Sequence, residues 1–131
     1  MKSRKDIAAE KKRSGQYNCA QAVISTYGDL AGIDDATALN IGNAFAVGMG
    51  NTEGTCGALI GAGVVVGLRC CHRAKSIQAM RQIMESFQQR NGATVCKQLK
   101  GIETGKVLRA CPDCVADACE FLEVALEKFD E

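Results

Sequence analysis

Apolar side chains recur along most of the chain at intervals of three and four residues, the period of an amphipathic helix rather than of a strand. After a charged helix over about 3–13, closed by Ser14 and Gly15, Asn18 is a good N-cap with Gln21 at its third helical position. Ala20, Ile24, Tyr27 and Ala31 follow at helical spacing, so one helix is expected to run through all of them. Asp34 or Asp35 caps the next, which carries Ala38, Ile41 and Phe45 into a glycine-rich stretch from Gly48 to Gly54. Thr55 then reads as the N-cap of a helix over 56–71 whose first thirteen residues, CGALIGAGVVVGL, hold no charge. A membrane span needs about twenty such residues. The segment is therefore expected to be buried on all sides, with Gly57, Gly61, Gly63 and Gly67 admitting close neighbours. Val64–Val66 as a strand is the weaker reading, because no nearby segment alternates as a partner would. A helix over 73–90 has Ile77, Met80, Met84 and Phe87 on one stripe and ends at Asn91-Gly92. A short turn of helix starts near Thr94, Gly101 to Gly105 is a loop, and Pro112 opens a last helix to Phe129 with Val115, Ala118, Leu122 and Ala125 inward. The expected fold is all-α: one domain over 1–131, a bundle of four main helices with short additional ones.

Composition narrows this picture. At 131 residues, 47% apolar and 24% charged, the chain has the profile of one globular domain. Its formal charge of +1 supplies no overall attraction to nucleic acid or an anionic membrane, and neither partner is expected. Six of the first thirteen residues are Lys or Arg and seven of the last nineteen are Asp or Glu. That asymmetry reads as solvated faces or pairing of the terminal helices, with a docking surface for a redox partner protein as the sharper reading. Eight cysteines are a smaller share than the ~8–10% of secreted disulfide scaffolds, and no apolar leader precedes them. A reducing, cytoplasmic setting is expected, where many cysteines mean metal ligation or thiol redox chemistry.

The eight fall into two groups. Cys19, Cys56, Cys96 and Cys111 each lie in the cap or first turn of an expected helix, where free N–H groups and the positive end of the macrodipole favour a thiolate. All four are expected to be primed as thiolates, an arrangement that also suits an anionic metal–thiolate centre. Cys70 and Cys71 end a helix, and Cys114 and Cys119 lie inside one, where a small buried hydrophobe is the plain reading. Cys111-Pro112-Asp113-Cys114 is nevertheless a C-x-x-C at a helix N-terminus, the setting of an exchanging dithiol. Cys70-Cys71-His72 resembles a metal motif, but adjacent side chains on a helix diverge.

Gly54-Thr55-Cys56-Gly57-Ala58-Leu59-Ile60-Gly61, together with Gly48-Met49-Gly50, Asn18-Cys19-Ala20-Gln21 and the later Cys96 and Cys111, resembles the C_GCAxxG_C_C family. The likeness runs from about Gly15 to Ala125 and selects the same four cysteines as the capping argument. It implies electron or thiol redox chemistry and a relation to the cysteine-rich domain of split-Soret cytochromes. Asn43 to Val47 departs from the more glycine-rich stretch associated with the family, and Cys70, Cys71, Cys114 and Cys119 lie outside its pattern.

Other chemistries find less support. The glycine loop lacks the Lys-Ser or Lys-Thr of a P-loop and the preceding strand of a dinucleotide fold, and the single His72 has no placed acid or nucleophile. The leading expectation is an iron–sulfur cluster on Cys19, Cys56, Cys96 and Cys111 for electron transfer, with backbone N–H groups of Gly54 and Gly57 facing it. One alternative is a metal-free thiol–disulfide protein attacking through Cys56 or the Cys111/Cys114 pair; the other is a structural zinc on the four cysteines. A homodimer sharing the centre across a two-fold axis is also compatible.

Overall fold

Residues 1–130 are described by a computed structural model, and among them the regular structure is helical throughout. The elements are α1 (Lys5–Arg13), α2 (Cys19–Thr26), α3 (Gly28–Ala31), α4 (Asp35–Gly42), a 3-10 turn (Asn43–Phe45), α5 (Gly57–Cys70), α6 (Arg73–Asn91), α7 (Cys96–Lys100) and α8 (Cys111–Phe129). One isolated antiparallel bridge joins Thr55 to Val95. The all-α expectation is met, and Val64–Val66 lies within α5.

Capping chemistry explains where several helices begin. At α2 the Asn18 side chain accepts from Gln21 N at 2.8 Å, and Asn18 N donates back to Gln21 Oε1 at 3.0 Å, a complete capping box. Of the two candidates before α4 it is Asp34 that accepts, from Thr37 N at 2.8 Å. Pro112 sits in the first turn of α8, where a missing N–H costs nothing. Thr55 is not a cap: its backbone is spent on the bridge to Val95, and Cys56 itself takes the N-cap position of α5.

The helix expected from Asn18 to Ala31 is broken at Tyr27. That side chain is fully buried and its hydroxyl donates to the Glu123 carboxylate, which also accepts from Arg4 N at 2.8 Å. A long-range anchor on α8 thus outweighs the local periodicity. The basic start and acidic end of the chain do pair: α1 lies along α8, with the Met1 ammonium 3.2 Å from Glu127 and Lys5 Nζ 3.2 Å from Glu120.

At the centre, α5 packs against α2, α8 and α6. The expected burial on all sides is only partly met: Cys56 to Leu59, Gly61, Ala62, Val65 and Val66 are buried, but Ile60, Gly63 and Val64 form a half-buried stripe that widens to open solvent in the last turn. A Cβ at Gly57 would lie 2.9 Å from Phe45 O and 3.3 Å from Ala20 N; one at Gly61 would lie 2.9 Å from Ala20 O. These two glycines bring the head of α5 against the head of α2 at a distance no side chain permits. The other two do not share this task, since Gly63 meets only Met80 and Gly67 faces open space. On α6 the inward face is Ala79, Ile83 and Phe87, with Met80 and Met84 flanking, while Ile77 is 48% exposed. The small Ala79 lets α6 lie close to its neighbours, which the expected stripe through Ile77 would not.

Between the 3-10 turn and α5, Val47, Met49 and Thr52 all have positive φ (46°, 67° and 65°). Such conformations cost roughly 1–2 kcal/mol each for residues other than glycine. Gly50 N to Ala46 O (2.7 Å), Thr52 N to Val47 O (2.8 Å) and Lys97 N to Thr52 O (2.9 Å) hold the loop there. No helix among the described residues is long and apolar enough to cross a membrane.

The two kinds of glycine on α5 make a direct test. Gly61→Ala should destabilise by about 1–3 kcal/mol through overpacking, whereas Gly67→Ala should stabilise by about 0.5–1 kcal/mol through helix propensity. Urea denaturation of both variants reads the difference.

Candidate functional site

Five cysteines line one cavity of about 390 Å³: Cys19, Cys56, Cys96, Cys111 and Cys114. Four of them start helices, Cys19 as the first residue of α2, Cys56 as the N-cap of α5, Cys96 as the first of α7 and Cys111 as the first of α8. Packing of α5 on both α2 and α8 draws three of these heads together. The fourth arrives through the bridge. Cys56 N donates to Thr94 O at 2.8 Å and Cys96 N to Gly54 O at 3.0 Å, tying the two main chains side by side. Behind Cys111, the buried Asp117 accepts from Arg109 Nε (3.0 Å), Arg90 Nη1 (3.0 Å) and Asn91 Nδ2 (3.2 Å). That cluster fixes the segment leading into α8.

Within the cavity the sulfurs fall into two neighbouring pairs, Cys19 beside Cys111 and Cys56 beside Cys114. The Cys114 thiol donates to the Arg109 carbonyl at 3.6 Å. Cys111 and Cys114 lie one turn apart at the start of α8, so each also has a sulfur from another helix beside it, Cys111 that of α2 and Cys114 that of α5.

Protons divide unequally inside each pair. Cys111 is brought down to about 6, first by the Cys19 hydrogen bond and then by Lys100 and Lys12, against burial that pushes the other way. Cys56 is lowered by the Cys114 hydrogen bond, with further help from the Ala58 and Leu59 N–H groups in the first turn of α5. Cys19 and Cys114 are raised, because each holds the proton its partner needs and each is desolvated beside other sulfurs. Cys96 is raised chiefly by burial. Of the four thiols at helix heads, Cys56 and Cys111 are lowered whereas Cys19 and Cys96 are raised, so the four are not alike as expected. The helix-end field is a modest, short-range effect, and burial together with proton sharing between sulfurs decides which thiol ionises.

Gly57 lines the cavity, and Gly54 does not. Gly54 spends its N–H on Gly48 O at 3.1 Å and its carbonyl on Cys96 N, so it supports the site through the backbone without facing the sulfurs. The other cysteines lie elsewhere. Cys119 is buried beside Tyr27 and pushed up to about 12 by desolvation. Cys70 and Cys71 end α5, their thiols on the carbonyls of His72 (3.8 Å) and Leu68 (3.1 Å). His72 is the N-cap of α6, accepting from Lys75 N at 3.2 Å through Nδ1. Among the described residues no three His, Cys, Asp or Glu side chains are grouped to hold a metal ion, so the arrangement offers no ready zinc site. The residues that sequence reasoning left aside are Lys12 and Lys100, which look like members of solvated charged segments yet line the cavity. Nothing local marks them out.

Comparison with known proteins adds one finding. A family model described as "Putative redox-active protein (C_GCAxxG_C_C)" matches residues 17–125. No curated protein and no solved structure matches the chain.

The Cys111 thiolate has a pH signature. Its alkylation rate, followed by peptide mass spectrometry, should rise with a midpoint near pH 6. Cys19→Ala should move that midpoint up by about one unit, since a hydrogen bond to a charged group is lost. Because the folded value lies below the ordinary thiol value of 9.0, the thiolate's contribution to stability is full above that pH and is lost as pH falls through about 6. Cys111→Ser should flatten the slope of stability over that window in urea titrations.

Proposed function

The chain belongs to the C_GCAxxG_C_C family, and from that premise we propose that it is a thiol–disulfide redox protein working through Cys111 with Cys19 and Cys56 with Cys114. The observation that carries this reading is geometric: five cysteines line one cavity, Cys111 beside Cys19 and Cys114 beside Cys56, and within each pair one thiol is lowered and the other raised. A dithiol that exchanges needs just these two members, a thiolate to attack and a protonated partner to resolve the mixed disulfide. Cys111 is the half-buried attacking sulfur and Cys19 its resolving partner. Cys56 and Cys114 are buried and form an inner pair. An outer disulfide passes inward when the Cys56 thiolate attacks it and Cys114 closes on Cys56, leaving the outer sulfurs reduced. Each transfer moves two electrons.

A second reading rests on Cys96. Cys19, Cys56, Cys96 and Cys111 all begin helices at the cavity, and four thiolates are the usual complement of an iron–sulfur cluster. The four thiols are the donor type such a group takes, and it would supply one-electron transfer when bound, but among the described residues their spacing groups no three of them for a metal ion. The two readings use different fifth wheels: the dithiol needs Cys114 and spares Cys96, and the cluster needs Cys96 and spares Cys114.

Protein equilibrated anaerobically in dithiothreitol redox buffers, then alkylated and mapped, should show Cys19–Cys111 and Cys56–Cys114 disulfides that form and break reversibly. Cys114→Ser should abolish the inner disulfide and Cys96→Ser should leave both intact. Thiols that never change state would overturn the dithiol reading. Iron and acid-labile sulfide in protein prepared without oxygen, lost in Cys96→Ser and kept in Cys114→Ser, would establish the cluster in its place.

A further inference from the structure

The cavity is charged on one side only. Its lining includes Lys12, Lys100 and Arg109 and no Asp or Glu. Arg109 is engaged by the buried Asp117 through Nε (3.0 Å) and Nη2 (3.2 Å), so its charge is answered within the chain. Lys12 and Lys100 are different. Both are half-buried, and neither ammonium has a hydrogen bond or ion pair among the described residues. Their neighbours on the same helices are satisfied: Lys97 on α7 pairs with Glu53 (3.0 Å) and Glu103 (3.2 Å), Lys5 on α1 with Glu120, and Lys11 donates to Ser25 Oγ at 3.0 Å. The stems of Lys12 and Lys100 are half-buried at the cavity wall, and their charges are left unanswered by any acidic group among the described residues. The two, from α1 and α7, flank the same thiolate, and both favour its charge.

The volume sets the scale of what they meet. About 390 Å³ lies within the ~300–1,000 Å³ of small-molecule pockets. Resting on the dithiol reading above, we propose that the cavity takes an anionic low-molecular-weight disulfide, its carboxylates on Lys12 and Lys100 and its S–S bond at Cys111. A thiolate repels an anionic substrate. Two unpaired ammonium groups flanking Cys111 offset that repulsion where the substrate's carboxylates would sit.

The reaction balances without a further co-reactant. The Cys111 thiolate attacks one sulfur of the disulfide, forming a Cys111–substrate disulfide and releasing the first thiolate, which takes a proton from water. Cys19 gives up its proton and attacks Cys111 Sγ, and the second substrate thiol leaves with that proton. Cys19 and Cys111 end as a disulfide, oxidised by two electrons, and the substrate ends as two thiols.

Three probe disulfides of similar length separate charge from reactivity: dithiodipropionate as dianion, 2-hydroxyethyl disulfide as neutral compound and cystamine as dication. Stopped-flow rates of the reduced protein at low salt should favour the dianion over the neutral compound by about tenfold, with cystamine slowest, and the preference should shrink as salt rises. In Lys12→Gln, Lys100→Gln and the double variant, the dianion-to-neutral ratio should fall stepwise toward unity. Taking the ratio within one variant cancels any change in the Cys111 thiolate fraction. A wild-type ratio at or below unity, or one unchanged in the double variant, would overturn the proposal while the neutral compound still oxidised Cys19 and Cys111. Failure of all three probes to oxidise that pair would instead remove the dithiol reading on which it stands.

Discussion

The contact on which the rest of the structure depends is the approach of α5 to α2 through Gly57, Gly61 and Ala20. A methyl group at either glycine would come within 2.9 Å of a backbone oxygen, so the helix heads touch main chain to main chain. Cys19 and Cys56 flank this contact and have no freedom to separate while it holds. α8 lies against both helices and adds Cys111 and Cys114 from its first turn, each beside a sulfur of a different helix. The geometry of the sulfurs is therefore a by-product of close packing between helices, and the glycines of the motif are steric where its cysteine is chemical.

Bringing sulfurs together does not make them equivalent. Four helix heads offer similar partial positive charge, yet only two of the thiols they carry are lowered. Within each pair one proton is shared by two sulfurs, and whichever donates is held neutral by its own partner. Burial adds to this, raising Cys96, which heads only the five-residue α7. Lys12 and Lys100 then tilt the balance at Cys111, the sulfur nearest solvent among the lowered two.

Features encoded over a few residues were legible before the structure. The Asn18–Gln21 capping box, the uncharged run that became the body of α5 and the Asn91-Gly92 stop all follow from local backbone chemistry. Legibility failed where distant groups decide. Tyr27 breaks a well-patterned helix because Glu123 on α8 claims its hydroxyl. Ile77 fits an apolar stripe yet points to solvent because Ala79 packs closer. Thr55 has the composition of a cap and is taken by Val95 instead. The cysteines show the same division. Their placement at helix starts was readable, whereas the partnership of Cys111 with Cys19, and of Cys114 with Cys56, depends on which helices cross. Lys12 and Lys100 were invisible for a like reason, since a lysine in a charged segment shows its isolation only once its surroundings are assembled.

The bridge between Thr55 and Val95 has a consequence in time as well as in space. It closes a segment containing all of α5 and α6, so the main-chain bonds that hold Cys56 beside Cys96 form only after those helices have folded back on each other. Cys19 and Cys111 come from still more distant parts of the chain. The cavity is thus assembled from widely separated segments, and its sulfurs are neighbours only when the whole chain is folded. Short of that state the polypeptide holds eight separate thiols and no cavity to shelter them.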